Sequence, residues 1–386
     1  MKTAFLTGGS GFIGGHLIRQ LVAKGYSVRA LARSESSAHK VTALGAQPIL
    51  GDLEDEAALR SAMTGCDVVF HLAAWYELTR RNAEQAYAIN VDGTRRVLRI
   101  AHEVGVPRIV YTSTVATFGD TGGNLVDETY HYRPQTDLMV GACQPTQTRQ
   151  PANALRTEYD RTKYLAHEAA LELVRAGAPI ITVMPGGVYG AGDTSSIGEM
   201  MTLYLRGFLA LLPGPETMLT YAHVEDVAAG HILAAEQGKV GESYILAGPA
   251  LTMEEVVALW AELTGKPRPL LGIPARFLRP FAPLMDVLQE KLPLPNALSG
   301  EALRILGATY IARSDKAMQA LGWQPRPLAD GMRATLQAFQ AELDAQAPRD
   351  TAQPLTPVEK KQAGLWLLGA AAVFGLLLVI LLRRRE

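Results

Sequence analysis

Short apolar runs alternate along this chain with longer stretches in which apolar residues recur every three or four positions. The runs Lys2–Leu6, Ser27–Ala32, Gln47–Leu50, Asp67–Leu72 (DVVFHL), Arg108–Thr112 (RIVYT) and Pro179–Met184 (PIITVM) have the length of strands. The helical period appears from the glycine-rich turn to about Lys24, over Ala83–Val104 and over Thr157–Ala176. Strands that are apolar along their length and alternate with helices predict an α/β fold. Its sheet would be parallel and doubly wound, of the Rossmann type, and covered on both faces.

The turn after the first run carries Gly8-Gly9-Ser10-Gly11-Phe12-Ile13-Gly14. Both Gly9-x-Gly11-x-x-Gly14 and Gly8-x-x-Gly11-x-x-Gly14 are spacings that let a strand turn sharply into a helix. They also bring backbone N–H groups close to a pyrophosphate at the helix N-terminus. The position predicts dinucleotide binding. The end of the second strand, where an acid usually receives the ribose 2′-hydroxyl, reads Ala32-Arg33-Ser34 instead. A guanidinium suits a 2′-phosphate, so Arg33 predicts NADP, with NAD as the alternative. Asp52 and Leu53, after the third strand, are assigned to the adenine end.

Tyr159 and Lys163 are four residues apart and share a helix face. A free phenol, with a pKa of about 10, is a poor proton donor or acceptor at neutral pH, and a fixed ammonium nearby would lower that value. The pair therefore points to proton transfer beside a hydride-carrying cofactor.

With these residues in place the chain resembles the extended short-chain dehydrogenase/reductases of the NAD-dependent epimerase/dehydratase superfamily. The dihydroflavonol 4-reductase-like and 3β-hydroxysteroid dehydrogenase-like branches are the most similar. The resemblance spans about residues 1–340 and rests on ordered motifs. These are TGGSGFIGGHL at 7–17, GDL at 51–53, HLAA at 71–74, Asn90-Val91-x-Gly93-Thr94, YTSTVATFG at 111–119, YDRTK at 159–163, PGGVYG at 185–190, YAHVEDVAAGHI at 221–232 and LGWQPRPLADGMRATL at 321–336. It implies that Gly8, Gly11, Phe12, Ile13 and Gly14 hold the pyrophosphate, that Ala73 and Ala74 line the adenosine ribose, and that Pro185 and Val188 border the nicotinamide. Tyr159 would exchange the substrate proton. Lys163 would lower the Tyr159 pKa and bind the nicotinamide ribose. Thr114 would orient the substrate oxygen where the family most often has serine, with Ser113 beside it. His71 reads as a satisfied residue at a strand end.

The resemblance also implies a division of the chain. Residues 1–190 with about 221–249 would form the cofactor domain, and 191–220 with 250–344 a smaller substrate domain. The apolar stretches Met200–Leu219 and Leu271–Met285 would be domain core, the walls of a lipophilic pocket or a membrane-facing surface. The 39 residues between Gly119 and Tyr159, rich in Pro, Gln, Thr and Asn, are expected to lie across the substrate mouth.

Bulk properties exclude some classes. In 386 residues the formal net charge is -1, which gives no argument for nucleic acid as a partner. Two cysteines, Cys66 and Cys143, exclude a disulfide framework, and no Cys/His cluster has metal spacing. Hydrophobic residues make up 48%, and the uncharged segment 364–382 accounts for part of that. At about 1.5 Å per residue it would match a bilayer core. A linker at 345–363 and a C-terminal transmembrane helix at 364–382 are expected, with the catalytic part cytoplasmic. The family resemblance also implies a homodimer, paired through the helices 83–104 and 157–176.

The functional expectation is an NADP-dependent oxidoreductase that interconverts a carbonyl and a secondary alcohol on a lipophilic or polycyclic small molecule. The alternatives are a nucleotide-sugar 4-epimerase or dehydratase that retains NAD, and a non-catalytic cofactor-sensing membrane protein.

Overall fold

The computed structural model describes residues 2–76, 82–130, 155–291 and 299–346. The first half runs β1 (Thr3–Thr7), α1 (Phe12–Ala23), β2 (Ser27–Ala32), α2 (Glu35–Ala43), β3 (Gln47–Leu50), α3 (Glu56–Met63) and β4 (Val68–His71). Then come α4 (Ala83–Tyr87), a π-helical turn (Ala88–Gly93), α5 (Thr94–Glu103), β5 (Ile109–Thr112), α6 (Glu158–Arg175) and β6 (Ile180–Pro185). The second half runs β7 (Gly187–Tyr189), α7 (Ser196–Leu205), β8 (Leu211–Pro213), β9 (Met218–His223), α8 (Val224–Gln237), β10 (Ser243–Leu246), β11 (Ala250–Thr252) and α9 (Met253–Thr264). It closes with β12 (Leu271–Ile273), α10 (Ala275–Leu278), α11 (Ala282–Lys291), α12 (Gly300–Ile305), β13 (Thr309–Tyr310), α13 (Asp315–Leu321) and α14 (Leu328–Gln346).

Seven strands form the main sheet in the order β3-β2-β1-β4-β5-β6-β10, every pair parallel. The direction of strand addition reverses between β1 and β4. A crevice therefore opens at their C-terminal ends, the place where such sheets bind ligands. One face is packed by Leu17, Ile18 and Leu21 of α1 with Val227 and Ile232 of α8 and Leu321 of α13. The other is packed by Leu59 and Met63 of α3, Val97 and Leu98 of α5, and Ala166 and Ala170 of α6. Because both faces are covered, β4, β5 and β6 are buried along their whole length. That is why their sequences read as continuous apolar runs.

A smaller sheet, β11-β9-β13 with β7 on β9, stands beside the main one, and β8 pairs with β12. Its core gathers Met201 and Tyr204 of α7, Val256 and Trp260 of α9, and Met332 and Leu336 of α14. Much of the apolar stretch 200–219 is thus core. Phe208 and Leu271, at 55% and 53% exposure, are not.

Two expected elements differ. The helix expected over Ala83–Val104 is interrupted by the π-helical turn at Ala88–Gly93. The connection after Gly119 begins as a structured segment. Thr121 N–H donates to the Thr309 carbonyl at 2.8 Å, Val126 bridges Ala312, and Asp127 pairs with Arg313. Its middle, 131–154, lies outside the described residues.

The expected transmembrane helix is not found. Among the described residues no helix is long and apolar enough to cross a membrane. The long helices α6 and α14 carry charges through their middles, such as Arg161 and Glu168 on the first and Arg333 and Glu342 on the second. Segment 364–382 lies outside the described residues, as does most of the expected linker. The membrane anchor, and the cytoplasmic placement inferred from it, are withdrawn.

Candidate active site

The glycine turn is shaped by contacts that leave no room for a side chain. Gly8 has φ +75°, and a Cβ there would stand 2.7 Å from the Ala73 nitrogen beyond β4. At Gly14 a Cβ would stand 2.1 Å from the Gly8 carbonyl oxygen. Gly11 is the N-cap of α1, which has no side-chain cap and no acidic residue in its first turn. Its leading N–H groups are free of side-chain partners, the arrangement a phosphate needs. A cradle that a Cβ would fill, facing uncapped amides at the switch point of the sheet, fits a dinucleotide pyrophosphate. Gly14→Ala is expected to weaken NADPH binding by about 100-fold or more and to cost about 1–3 kcal/mol of stability. Fluorescence titration and thermal unfolding would check both.

Around this cradle, Ala73 N–H donates to Thr7 Oγ1 at 3.3 Å, while Ala74 is exposed. Phe12 stacks edge-on with His16, and Ile13 packs on the core. Arg33 is exposed at the end of β2 and makes no hydrogen bond or ion pair with the described residues. Asp52 is exposed and accepts from Glu54 N–H at 2.8 Å, and the Leu53 carbonyl accepts from Arg96 at 3.0 Å. His71 is buried. Its Nδ1 meets Thr7 Oγ1 at 2.7 Å and its Nε2 meets Thr94 Oγ1 at 2.9 Å, and burial drives its pKa down to about 3.

The second cluster forms at the ends of β5 and β6 and on α6. Ser113 and Thr114 follow β5 and their hydroxyls part company. Ser113 Oγ meets His167 Nδ1 at 3.0 Å, whereas the Thr114 hydroxyl is close enough to the Tyr159 phenol to influence its pKa and donates to the Pro185 carbonyl at 3.4 Å. The geometry brings Thr114 and Tyr159 together and leaves Ser113 engaged elsewhere. Pro185 ends β6, and Val188 is half-buried on β7.

Lys163 is buried on α6 one turn after Tyr159. It was expected to lower the phenol's pKa, yet its Nζ donates to the Thr112 carbonyl at 2.9 Å and lies 5.4 Å from the Tyr111 ring centre. Burial raises the Tyr159 pKa well above the ordinary phenol value, Tyr76 and Asp160 add to the rise, and the Thr114 bond opposes it. Desolvation is the largest of these effects and favours the protonated phenol. The same burial lowers Lys163 to about 8, so it is mostly charged at neutral pH.

Three residues given no role from the sequence frame this cluster. Tyr76 meets Tyr159 edge-on, with ring centres 4.9 Å apart. Asn90, in the π-helical turn, accepts from Trp75 N–H at 2.7 Å and donates to the Trp75 carbonyl and to Thr162 Oγ1. It ties the chain beyond β4 to the catalytic helix. Asp160 is 2% exposed. Asn90 lies inside a quoted motif and Tyr76 two residues past another, so motif neighbourhood was the available signal. Asp160 had none.

Residues 4–247 match the NAD dependent epimerase/dehydratase family. A Synechocystis protein provisionally named dihydroflavonol 4-reductase is 31% identical over 87% of this chain and 94% of its own length. The 4-hydroxy-2-methyl-3-oxo-4-farnesyl-3,4-dihydroquinoline-1-oxide ketoreductase of Stigmatella aurantiaca is 35% identical over 84% of this chain and 92% of its own. Sterol demethylase protein B of Methylococcus capsulatus is 31% identical over 84% of this chain and 94% of its own. The crystal structure of gox2253 superposes with a TM-score of 0.73 at 29% identity, covering 89% of this chain and 99% of that one.

Proposed function

The chain belongs to the NAD dependent epimerase/dehydratase family and is an NAD(P)-dependent oxidoreductase, and from that premise we propose that it reduces a ketone on a lipophilic small molecule with NADPH. The observation that carries this reading is that Tyr159 and Lys163 on α6 gather with Thr114 at the C-terminal ends of β5 and β6. The phenol gives its proton to the carbonyl oxygen as that oxygen becomes a far more basic alkoxide, and a charged Lys163 beside the bound cofactor offsets the rise that burial causes in the phenol's pKa. Thr114 orients that oxygen. The nicotinamide, when bound, supplies the hydride to the carbonyl carbon, so ketone and NADPH become secondary alcohol and NADP+. Lys163, charged and fixed to β5, holds the ribose side of the cofactor and stabilises the phenolate left behind.

The names of the relatives support this substrate class, since they give a farnesylated dihydroquinoline oxide, a sterol and a dihydroflavonol as their compounds. Tyr76, 48% exposed and edge-on to Tyr159, offers an aromatic wall to such a molecule.

The preference for NADPH rests on Arg33, exposed and unpaired among the described residues. Arg33→Asp is expected to weaken NADPH binding by about 100-fold and to favour NADH, because charge-assisted bonds to a 2′-phosphate are worth roughly 1.5–3 kcal/mol each. Parallel titrations with the two cofactors would show it, and an unchanged preference would remove Arg33 from the site.

The overall reading is tested by mixing the purified chain with NADPH and a panel of polycyclic and prenylated ketones. Net NADPH oxidation with alcohol formation is expected. NAD retained through purification, together with interconversion of UDP-sugars without net cofactor turnover, would overturn it.

A further inference from the structure

The first turn of α6, which presents Tyr159, is held from outside the main sheet. Thr157 caps the helix, accepting from Asp160 N–H at 3.1 Å, and Asp160 answers by accepting from Thr157 N–H at 3.3 Å. Asp160 also accepts from Arg156 N–H at 3.0 Å. Capping boxes usually sit at the surface and end there. Here Asp160 is buried, and its Oδ2 takes another hydrogen bond, at 2.8 Å, from the Tyr310 hydroxyl of β13. The neighbouring Thr309 donates twice to Asp120, which pairs with Arg156 just ahead of the helix. On the next residue, Glu158 N–H donates to Glu301 of α12 at 2.8 Å. The small sheet and α12 thus hold the turn on which the phenol stands.

We propose that Tyr310 is a positioning residue for Tyr159, acting through Asp160, so that the small sheet sets where the phenol stands relative to Thr114. Its catalytic meaning rests on the reading of Tyr159 as the acid; the coupling itself does not. One helical turn further on, α6 is fixed to the main sheet by Lys163 on the Thr112 carbonyl and by Thr162 on Asn90. Tyr159 therefore lies between two anchors, one on each sheet. Proton transfer is sensitive to displacements of well under 1 Å, so loosening either anchor reaches the chemistry without touching substrate.

The carboxyl also gives the coupling a signature. Asp160 is faced by Tyr310 of β13, by Tyr76 beyond β4, by Tyr159 on its own helix, and by the Arg156–Asp120 pair. Burial pushes Asp160 up to about 6, and the Tyr310 bond opposes that rise by favouring the carboxylate. Removing the hydroxyl must move the titration to higher pH.

The test uses the full chain labelled with 3-fluorotyrosine, the Tyr159 fluorine resonance being assigned by its loss in Tyr159→Phe. In the unsubstituted protein this resonance should move with pH about a midpoint near 6. In Tyr310→Phe the midpoint should rise by about one pH unit, and the resonance should be displaced even at pH 8. NADPH affinity should stay within about twofold, since Tyr310 does not touch the glycine turn. In Asp160→Asn the pH response should vanish, and adding Tyr310→Phe should change nothing more. An unaltered Tyr159 resonance and midpoint in Tyr310→Phe would overturn the proposal, and that single variant decides if Asp160→Asn fails to fold. Ketone reduction that survives Tyr159→Phe would instead overturn the acid assignment and leave the coupling standing.

Discussion

Tyr159→Phe is expected to lower kcat for ketone reduction by about 100- to 10,000-fold while leaving NADPH binding within about twofold. The phenyl ring keeps the edge-on contact with Tyr76 and fills the same volume, so the fold should survive. What is lost is the phenol's proton and the polar group that faces the Thr114 hydroxyl. Stopped-flow mixing of the NADPH-loaded variant with ketone separates the effects, because a binding defect would appear in cofactor titration and a proton-transfer defect only in turnover. Activity within tenfold of the unsubstituted protein would rule out Tyr159 as the acid.

Lys163→Met should move activity and stability in opposite directions. Turnover is expected to fall by about 100-fold or more, because in the proposed reaction the ammonium holds the ribose and balances the phenolate. Stability at pH 7 is expected to rise by about 1–2 kcal/mol. The drop of the Lys163 pKa from its ordinary 10.5 to about 8 measures the cost of holding a charge in a buried site. That cost is at most about 3 kcal/mol by linkage. Methionine recovers only part, since the Thr112 carbonyl loses its donor. The sign with pH is fixed as well. The unfolded chain binds the extra proton between about pH 8 and 10.5, so the unsubstituted protein gains stability as pH rises through that window. The methionine variant should lack this gain. Urea unfolding at pH 7 and 10 reads both effects, and a destabilised variant at pH 7 would show that Lys163 is a structural tie rather than a residue kept for function.

What could be read from the sequence follows a physical divide. β4, β5 and β6 lie within one residue of the apolar runs at each end, because a parallel strand buried on both faces must be apolar throughout. Thr157 and Ala176, the expected ends of the catalytic helix, are its N-cap and C-cap, and the Thr-x-x-Asp capping box marks the start. The short strands β7, β8, β11, β12 and β13, of two or three residues each, had no legible pattern, since so few residues show no period. The π-helical turn at Ala88–Gly93 reads as ordinary helix because one extra residue barely disturbs the period, yet it turns Asn90 inward. Tyr159 and Lys163 were visible as a pair four apart. Their pKa values were not, because these depend on burial by residues distant in sequence, such as Tyr76 and Tyr111. Asp160 drew no reading of its own, because its partner Tyr310 on β13 is 150 residues away.

The order of strands also bears on how the chain is made. β6 is buried at every position, but its outer neighbour is β10, and Pro185 and Ser243 are separated by β7, α7, β8, β9 and α8. A growing chain that has emerged only past β6 therefore offers Ile180, Ile181 and Val183 on an open sheet edge. At translation rates of about 5–20 residues per second that edge stays open for roughly 3–12 seconds before β10 can close it. The nascent protein would meet its greatest risk of misassociation in that interval, and slowing ribosomes over residues 186–242 should lower the yield of folded enzyme more than slowing them after Leu246.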